Sequence, residues 1–275
     1  MIVEPAPAKI NLALHVRGRR ADGFHEIETL FAFLRDGDQI TAERYAENEL
    51  TVTGPFAAAL AGHDNLVSRA ASAFSAAFAP DARYRLSLAK HLPIASGIGG
   101  GSADAAATLR ALARLEGVDP SDPRLIGIAE ALGSDVPACL LGKAALGTGR
   151  GELLAPLDGL GAMPVLLVNP GVAVSTAAVF KAWDGKDLGP IGSSGEMNAA
   201  REGRNDLQPA ALDLAPEIGD VLAALAGQPG VVLARMSGSG ATCFGLFENA
   251  AAMVAASAVI AAAHPDWWRL ESALA

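Results

Sequence analysis

The sequence predicts an α+β protein of two layered halves, and three observations carry that expectation. Apolar residues near the N-terminus recur with period two, the mark of a strand. Alanine-rich segments at helical spacing separate further strand-like runs. Strands and helices are mixed, but without the regular strand–helix alternation and single glycine fingerprint of a doubly wound sheet.

The strands and helices follow in order. Ile10, Leu12, Leu14 and Val16 alternate with Lys9, Asn11, Ala13 and His15, which predicts a half-buried strand with Lys9 and Asn11 on its polar face. A polar turn at 19–23 leads to a second strand at 24–31. Residues 66–79 have helical spacing behind a cap at Asp64 or Asn65. Tyr84 to Leu88 alternates again, and a helix runs from Ser102 to Leu115. Another covers 122–132 and stops at Gly133. After Leu153 the pattern restarts with a buried strand at 164–169 and helices near 175–183 and 215–226. Strands at 230–235 and 241–247 flank the glycine turn Ser237-Gly238-Ser239-Gly240, and a helix at 249–263 follows. Glycine and proline punctuation around 155–163 divides the expected halves into 1–155 and 156–275.

Composition narrows the function. The 275 residues are 51% hydrophobic and 19% charged, enough chain to bury a core without staples. A net charge of −9 argues against a general nucleic-acid binder, which needs clustered cations. Cys139 and Cys243 stand far apart and read as small core residues in a reducing compartment. The N-terminal alternation is unlike an export signal. Pro164, Asn169, Pro170 and Gly171 interrupt the longest uncharged stretch, 159–180. A cytoplasmic protein with no membrane span is therefore expected.

The strongest chemical signal is Pro93-Ile94-Ala95-Ser96-Gly97-Ile98-Gly99-Gly100-Gly101-Ser102-Ala103. Four glycines in five positions let the backbone approach a ligand closely. Opening into a helix, they aim unpaired N–H groups and the positive helix end at one point, which suits a polyphosphate. No lysine follows Gly101, so the segment is not a P-loop, and Ser102 stands where a dinucleotide fingerprint needs glycine. The protein-kinase signatures are also absent. Asp135, on a Gly-Ser-Asp-x-Pro turn, reads either as a turn residue or as a carboxylate projecting into a cleft. Taken alone, Lys9 reads first as a snorkelling surface lysine, and Phe24-His25 as a half-buried aromatic beside a surface histidine.

Three segments in order resemble the GHMP kinases, the family of galactokinase, homoserine, mevalonate and phosphomevalonate kinases. They are Ala6-Pro7-Ala8-Lys9-Ile10-Asn11-Leu12, the glycine segment with Asp104-Ala105-Ala106, and Arg235-Met236-Ser237-Gly238-Ser239-Gly240-Ala241-Thr242-Cys243-Phe244. The resemblance spans nearly the whole chain. It implies the two-domain GHMP kinase fold, with an N-terminal half like domain 2 of ribosomal protein S5 and a ferredoxin-like C-terminal half. It also implies ATP and Mg2+, with no protein ligands assigned to the metal.

Arg20-x-Asp22-Gly23-Phe24-His25, Gly133-Ser134-Asp135-Val136-Pro137, Asp64-Asn65-Leu66, Pro170-Gly171-Val172 and Asn205-Asp206-Leu207 are similar to one branch of the family. That branch phosphorylates a cytidine diphosphate-linked erythritol in isoprenoid precursor biosynthesis; a homoserine or mevalonate-type kinase is the alternative. Carried over, Asp135 takes the hydroxyl proton, and Lys9 pairs with it and stabilises the moving phosphoryl. Asn11 hydrogen-bonds the polyol. His25 reads the cytosine edge between Phe24 and Phe180, with Lys181 nearby. Residues 93–103 hold the nucleotide phosphates, Lys90 and Asn65 approach the nucleotide, and 237–240 close the phosphate site. Ala103 departs from the family, where a second serine is common. Neither a nucleic acid nor a membrane is an expected partner.

Overall fold

Alternating aliphatic residues build two long strands, β1 (Ile2–Arg19) and β2 (His25–Arg44). The computed structural model describes residues 1–60, 65–158, 160–192 and 195–275, so the alternative cap Asp64 lies outside the described residues. By internal contacts the chain forms two units. The first comprises 1–8, 36–94 and 99–142; the second comprises 9–35, 95–98 and 143–275. β1 and β2 each contribute to both, and position 155 falls inside the second unit.

In the first unit, residues 39–44 of β2 pair antiparallel with β4 (Tyr84–Ala89), and β3 (Glu49–Thr53) runs parallel along β4. Four helices belong here: α1 (Leu66–Phe78), α2 (Gly100–Glu116), α3 (Pro123–Leu132) and α4 (Val136–Leu141). Asn65 caps α1 by accepting from the Val67 N–H at 2.9 Å. Asp122 caps α3 in the same way, with Pro123 in its first turn and Gly133 ending it. Ala103, Ala105, Ala106, Ala107 and Ala111 keep α2 slender, so α1 and α4 pack directly onto it. Phe74, Tyr84, Leu86, Leu88 and Ile40 fill the remaining core, each large side chain contributing about 1.5–3 kcal/mol by burial. Glu4 accepts from Arg110 at 2.7 Å and Arg114 at 2.8 Å, fastening α2 to the start of β1.

In the second unit, residues 29–31 of β2 pair with β5 (Ala145–Thr148), which pairs with β6 (Leu153–Pro156). A separate antiparallel sheet has the order β10–β7–β9–β8, from β7 (Pro164–Asn169), β8 (Val231–Met236), β9 (Cys243–Phe247) and β10 (Trp268–Ala273). Its helices are α5 (Thr176–Ala182), α6 (Glu196–Glu202), α7 (Gln208–Leu214), α8 (Glu217–Ala226) and α9 (Ala250–Ala263). Ile218, Val221 and Leu225 of α8 and Met253 and Ile260 of α9 join Leu166, Val168 and Phe247 in one core.

Two expectations need correction. β1 is not half-buried: every residue from Ala8 to Val16 is buried, so both faces are covered. α2 starts at Gly100, two residues before Ser102, because the glycines themselves take up the first turn. Cys139 and Cys243 are buried free thiols. Among the described residues no helix is long and apolar enough to cross a membrane.

Candidate active site

The three sequence motifs meet within the second unit. The Lys9 N–H donates to the Ile98 carbonyl at 3.0 Å, and the Thr242 N–H donates to the Ser96 carbonyl at 3.1 Å. Between these, the Asn11 N–H donates to Ser237 Oγ at 3.2 Å, and Ser237 Oγ donates to the Gly97 carbonyl at 2.9 Å. Gly97 has φ +78°, and a Cβ there would lie 2.4 Å from the Ser237 carbonyl oxygen. Only glycine fits that combination of backbone sign and close approach. Ala95, two residues earlier, holds φ +51°, a conformation that strains an L-residue.

Residues 237–242 form the loop of the β8–β9 hairpin, with the Ser237 N–H donating to the Thr242 carbonyl at 2.9 Å. The turn is thus the loop of a hairpin, and it also touches the glycine segment through Ser237. Two residues that sequence reasoning passed over as site supports keep it in place. Asn205 Nδ2 donates to the Met236 and Gly238 carbonyls, both at 2.8 Å. The Arg235 guanidinium, 8% exposed, donates to the carbonyls of Leu12, Ala200 and Gly203. Burial pulls its pKa down to about 10. A buried cation met, among the described residues, by carbonyls alone is a clamp between β1, α6 and β8.

Lys9 and Asn11 are 3% and 2% exposed, which excludes the snorkelling reading of Lys9. Lys9 Nζ donates to Asn11 Oδ1 at 3.0 Å and stands 5.3 Å from the Phe31 ring centroid. Asn11 Nδ2 donates to Thr29 Oγ1 at 2.7 Å, which in turn donates to the Ala13 carbonyl at 2.8 Å. Lysine and asparagine thus sit in fixed rotamers on a buried polar face, a preorganised donor set. Thr29, the residue that orients Asn11, carries no sequence signal beyond its strand position.

His25 opens β2 beside aromatic rings. Its ring centroid lies 4.9 Å from that of Phe180 on α5, tilted by 40°, and 5.7 Å from Trp183, edge-on at 80°. His25 Nε2 is buried and has no hydrogen-bond partner among the described residues. Burial lowers the His25 pKa and the Arg19 charge lowers it further, which favours the neutral ring. Phe24 is half exposed, with the Arg150 guanidinium 4.9 Å from its centroid. Lys181 is exposed on α5. His25 and Phe180 are therefore together as expected; Phe24 makes no ring contact with either among the described residues.

In the first unit, α2 begins on Gly99 in the left-handed conformation, φ +65°, with no side-chain cap hydrogen bond. Its leading N–H groups at 100–102 have no carbonyl four residues back within the helix, which leaves a donor cluster at the positive end of a 17-residue helix. Ser102 is half-buried there and Ala103 is buried. Pro93 is buried and Ile94 is 38% exposed.

The Lys90 side chain overturns its expected role. It is 2% exposed, and its ammonium lies 2.5 Å from Asp38 Oδ2 and 2.6 Å from Asp104 Oδ2. Asp38 Oδ1 also accepts from the N–H groups of His91 and Leu92. A buried ammonium shared by two carboxylates cannot reach a nucleotide, so this is a structural cluster beneath the glycine helix. Burial pushes the Asp104 carboxyl up to about 7 against the opposing pull of Lys90. Asn65 spends its Oδ1 on capping α1. Asp135 is half-buried immediately before α4 and makes no side-chain cap bond to that helix, which removes the simple capping reading.

Comparison with known proteins bears on both units. The family description "GHMP kinases N terminal domain" matches residues 65–143, and "GHMP kinases C terminal" matches 180–265. The chain is 53% identical to a protein of Rhizorhabdus wittichii named 4-diphosphocytidyl-2-C-methyl-D-erythritol kinase, over 98% of this chain and 94% of that one. A crystal structure of 4-(cytidine 5'-diphospho)-2C-methyl-D-erythritol kinase superposes with a TM-score of 0.83 at 35% identity, covering 99% of each chain. A homoserine kinase from Cytophaga hutchinsonii shares the fold, with a TM-score of 0.74 at 19% identity over 99% of this chain and 94% of the other.

Proposed function

The chain belongs to the GHMP kinase family, and from that premise we propose that it transfers the γ-phosphoryl group of ATP to the 2-hydroxyl of 4-diphosphocytidyl-2-C-methyl-D-erythritol. The reaction is a cytoplasmic step of non-mevalonate isoprenoid precursor synthesis. The observation that carries the reading is the junction of Asn11, Ser237 and Gly97, which joins the three family motifs in the second unit.

Residues 93–103 hold the triphosphate, with the uncapped start of α2 supplying backbone donors. ATP would bring Mg2+, whose charge would offset that of the phosphates; no residue of this chain is assigned as its ligand. Asp135 accepts the proton of the acceptor hydroxyl as its oxygen attacks phosphorus. Lys9 offsets the negative charge that builds on the transferring group, and its rotamer is held by Asn11. Asn11 keeps one amide N–H beyond the bond to Thr29, suited to a polyol oxygen. His25 reads the edge of the cytosine, Phe24 and Phe180 meet its faces, and Lys181 stands near the diphosphate. Asn65 meets the nucleotide through its amide.

A homoserine or mevalonate acceptor is not favoured, because neither molecule has a base for the His25, Phe180 and Trp183 rings to recognise. The test is a phosphoryl-transfer assay with ATP against the cytidyl-erythritol, homoserine and mevalonate. Turnover of the first alone supports the reading, and preference for either of the others overturns it.

A further inference from the structure

We propose that Arg19 and Trp183 are a positioning pair for base recognition: Arg19 fastens the C-terminal end of α5 and so holds Phe180 and Trp183 against the His25 ring. The inference rests on the reading of His25 as the residue that meets the cytosine edge.

α5 has seven residues, too few to persist without tertiary support. Its last carbonyls have no partners inside the helix. Arg19, the last residue of β1, supplies them: one terminal nitrogen donates to the Trp183 carbonyl at 2.8 Å and to the Lys181 carbonyl at 3.4 Å. A cation is the favourable charge at a helix C-terminus. The same guanidinium stands 5.6 Å from the Trp183 ring centroid, and that ring is 5% exposed. One side chain thus fixes both the backbone and the indole at the end of α5.

The consequence falls on His25. Phe180 lies within α5 and Trp183 directly follows it, so a shift of this helix end moves both rings that touch the imidazole. Beside those rings Nε2 is buried and has no hydrogen-bond partner among the described residues. An imidazole nitrogen held in that way is satisfied when a polar ligand edge arrives. A neutral ring offers one donor and one acceptor, matching an uncharged base. The Arg19 charge favours that neutral form. The other charged groups on these elements are otherwise engaged: Arg17 pairs with Glu28 and Asp187, and Arg20 with Asp22 and Glu26. Lys181 is exposed.

The experiment compares Arg19→Ala, Arg19→Lys, Trp183→Phe and His25→Ala in the full chain. Three quantities are measured: KM for the cytidyl-erythritol and for ATP separately, CDP binding by calorimetry, and titration of the His25 ring by NMR. Arg19→Ala is expected to weaken CDP binding and raise the acceptor KM about tenfold, as for loss of a charged hydrogen bond. KM for ATP stays unchanged, Arg19→Lys recovers part of the loss, and the His25 ring titrates at higher pH once the Arg19 charge is gone. Trp183→Phe raises the acceptor KM to a smaller extent. Parallel changes in both KM values, or a fall in melting temperature alone, overturn the pair. Should Arg19→Ala not fold, Arg19→Lys and Trp183→Phe decide by the same split between the two KM values. If His25→Ala leaves the acceptor KM unaltered, the base-reading role fails; if it raises that KM while Arg19 and Trp183 variants are silent, only the positioning pair fails.

Discussion

Ser237 and Gly97 are 140 positions apart, and the hydroxyl of the first donates to the carbonyl of the second at 2.9 Å. The serine also accepts from the Asn11 N–H. One hydroxyl therefore ties the glycine segment, the first strand and the β8–β9 hairpin together. The arrangement explains why a serine sits between a strand end and two glycines, where a turn alone would accept many residues.

Gly97→Ala tests that junction. The added Cβ would stand 2.4 Å from the Ser237 carbonyl and 2.8 Å from the Gly240 carbonyl, at a φ of +78°. Both contacts are to backbone, so relief requires the hairpin to move. The variant is expected to lose about 1–3 kcal/mol of stability and to raise KM for ATP. A wild-type melting temperature with unchanged KM would show that the loop tolerates a side chain there.

Asp135→Asn removes the proposed proton acceptor while keeping its shape. Turnover should drop by about 10²–10⁴-fold, the usual contribution of a positioned base, while ATP binding measured by calorimetry persists. Retention of full turnover would assign the proton to another group.

Lys9→Met keeps length and apolar stem but deletes the charge. A fall in kcat of about 10²–10³-fold is expected, with nucleotide affinity little changed. Because Lys9 is buried and bonded to Asn11, thermal melting must be compared as well. A loss confined to stability would make Lys9 a structural residue.

The Lys90 cluster predicts unequal outcomes for its members. Lys90→Met strands two buried carboxylates and should cost about 3–5 kcal/mol, read as a lower urea midpoint. Asp104→Asn should be milder and should change the pH dependence. The Asp104 carboxyl is pushed up to about 7 from 3.8, so the native state holds the proton more tightly than the unfolded chain. Its stabilising contribution is complete below 3.8 and is lost as pH rises through about 7. An asparagine cannot titrate, so the variant should gain on the wild type across that window. Parallel urea midpoints for the two proteins through the window would remove Asp104 from the titration.

The proposed base recognition by His25 has a pH signature too. Its pKa lies below the ordinary 6.5 because of burial first and Arg19 second. KM for the cytidyl-erythritol should be flat above 6.5 and rise only as the pH falls below that value and the ring gains its proton. His25→Ala should lose that acid limb; its persistence in the variant would place the titration elsewhere.

Local chemistry written into the sequence determined a large share of this protein. The buried strand expected at 164–169 matches β7, and Asn65, Asp122, Ser175 and Asn249 mark helix starts because their side-chain oxygens accept from the first turn. The glycine run and the helix that it opens were legible, since the backbone freedom of glycine is a local property. The short α6 and α7 and the strand β10 escaped notice, because seven polar or proline-containing residues carry little periodicity and a final six-residue strand takes its register from β7. Partnership was decided only in three dimensions. Lys90, expected to approach the nucleotide, is instead enclosed by Asp38, 52 positions earlier, and Asp104. Lys9 looked half-exposed until both faces of β1 were covered. Trp183, Arg19 and Arg235 gave no local sign of their roles, because carbonyls and rings distant along the chain define them. Backbone preference acts between neighbours in sequence, whereas desolvation and hydrogen-bond pairing depend on which distant groups the fold brings into contact.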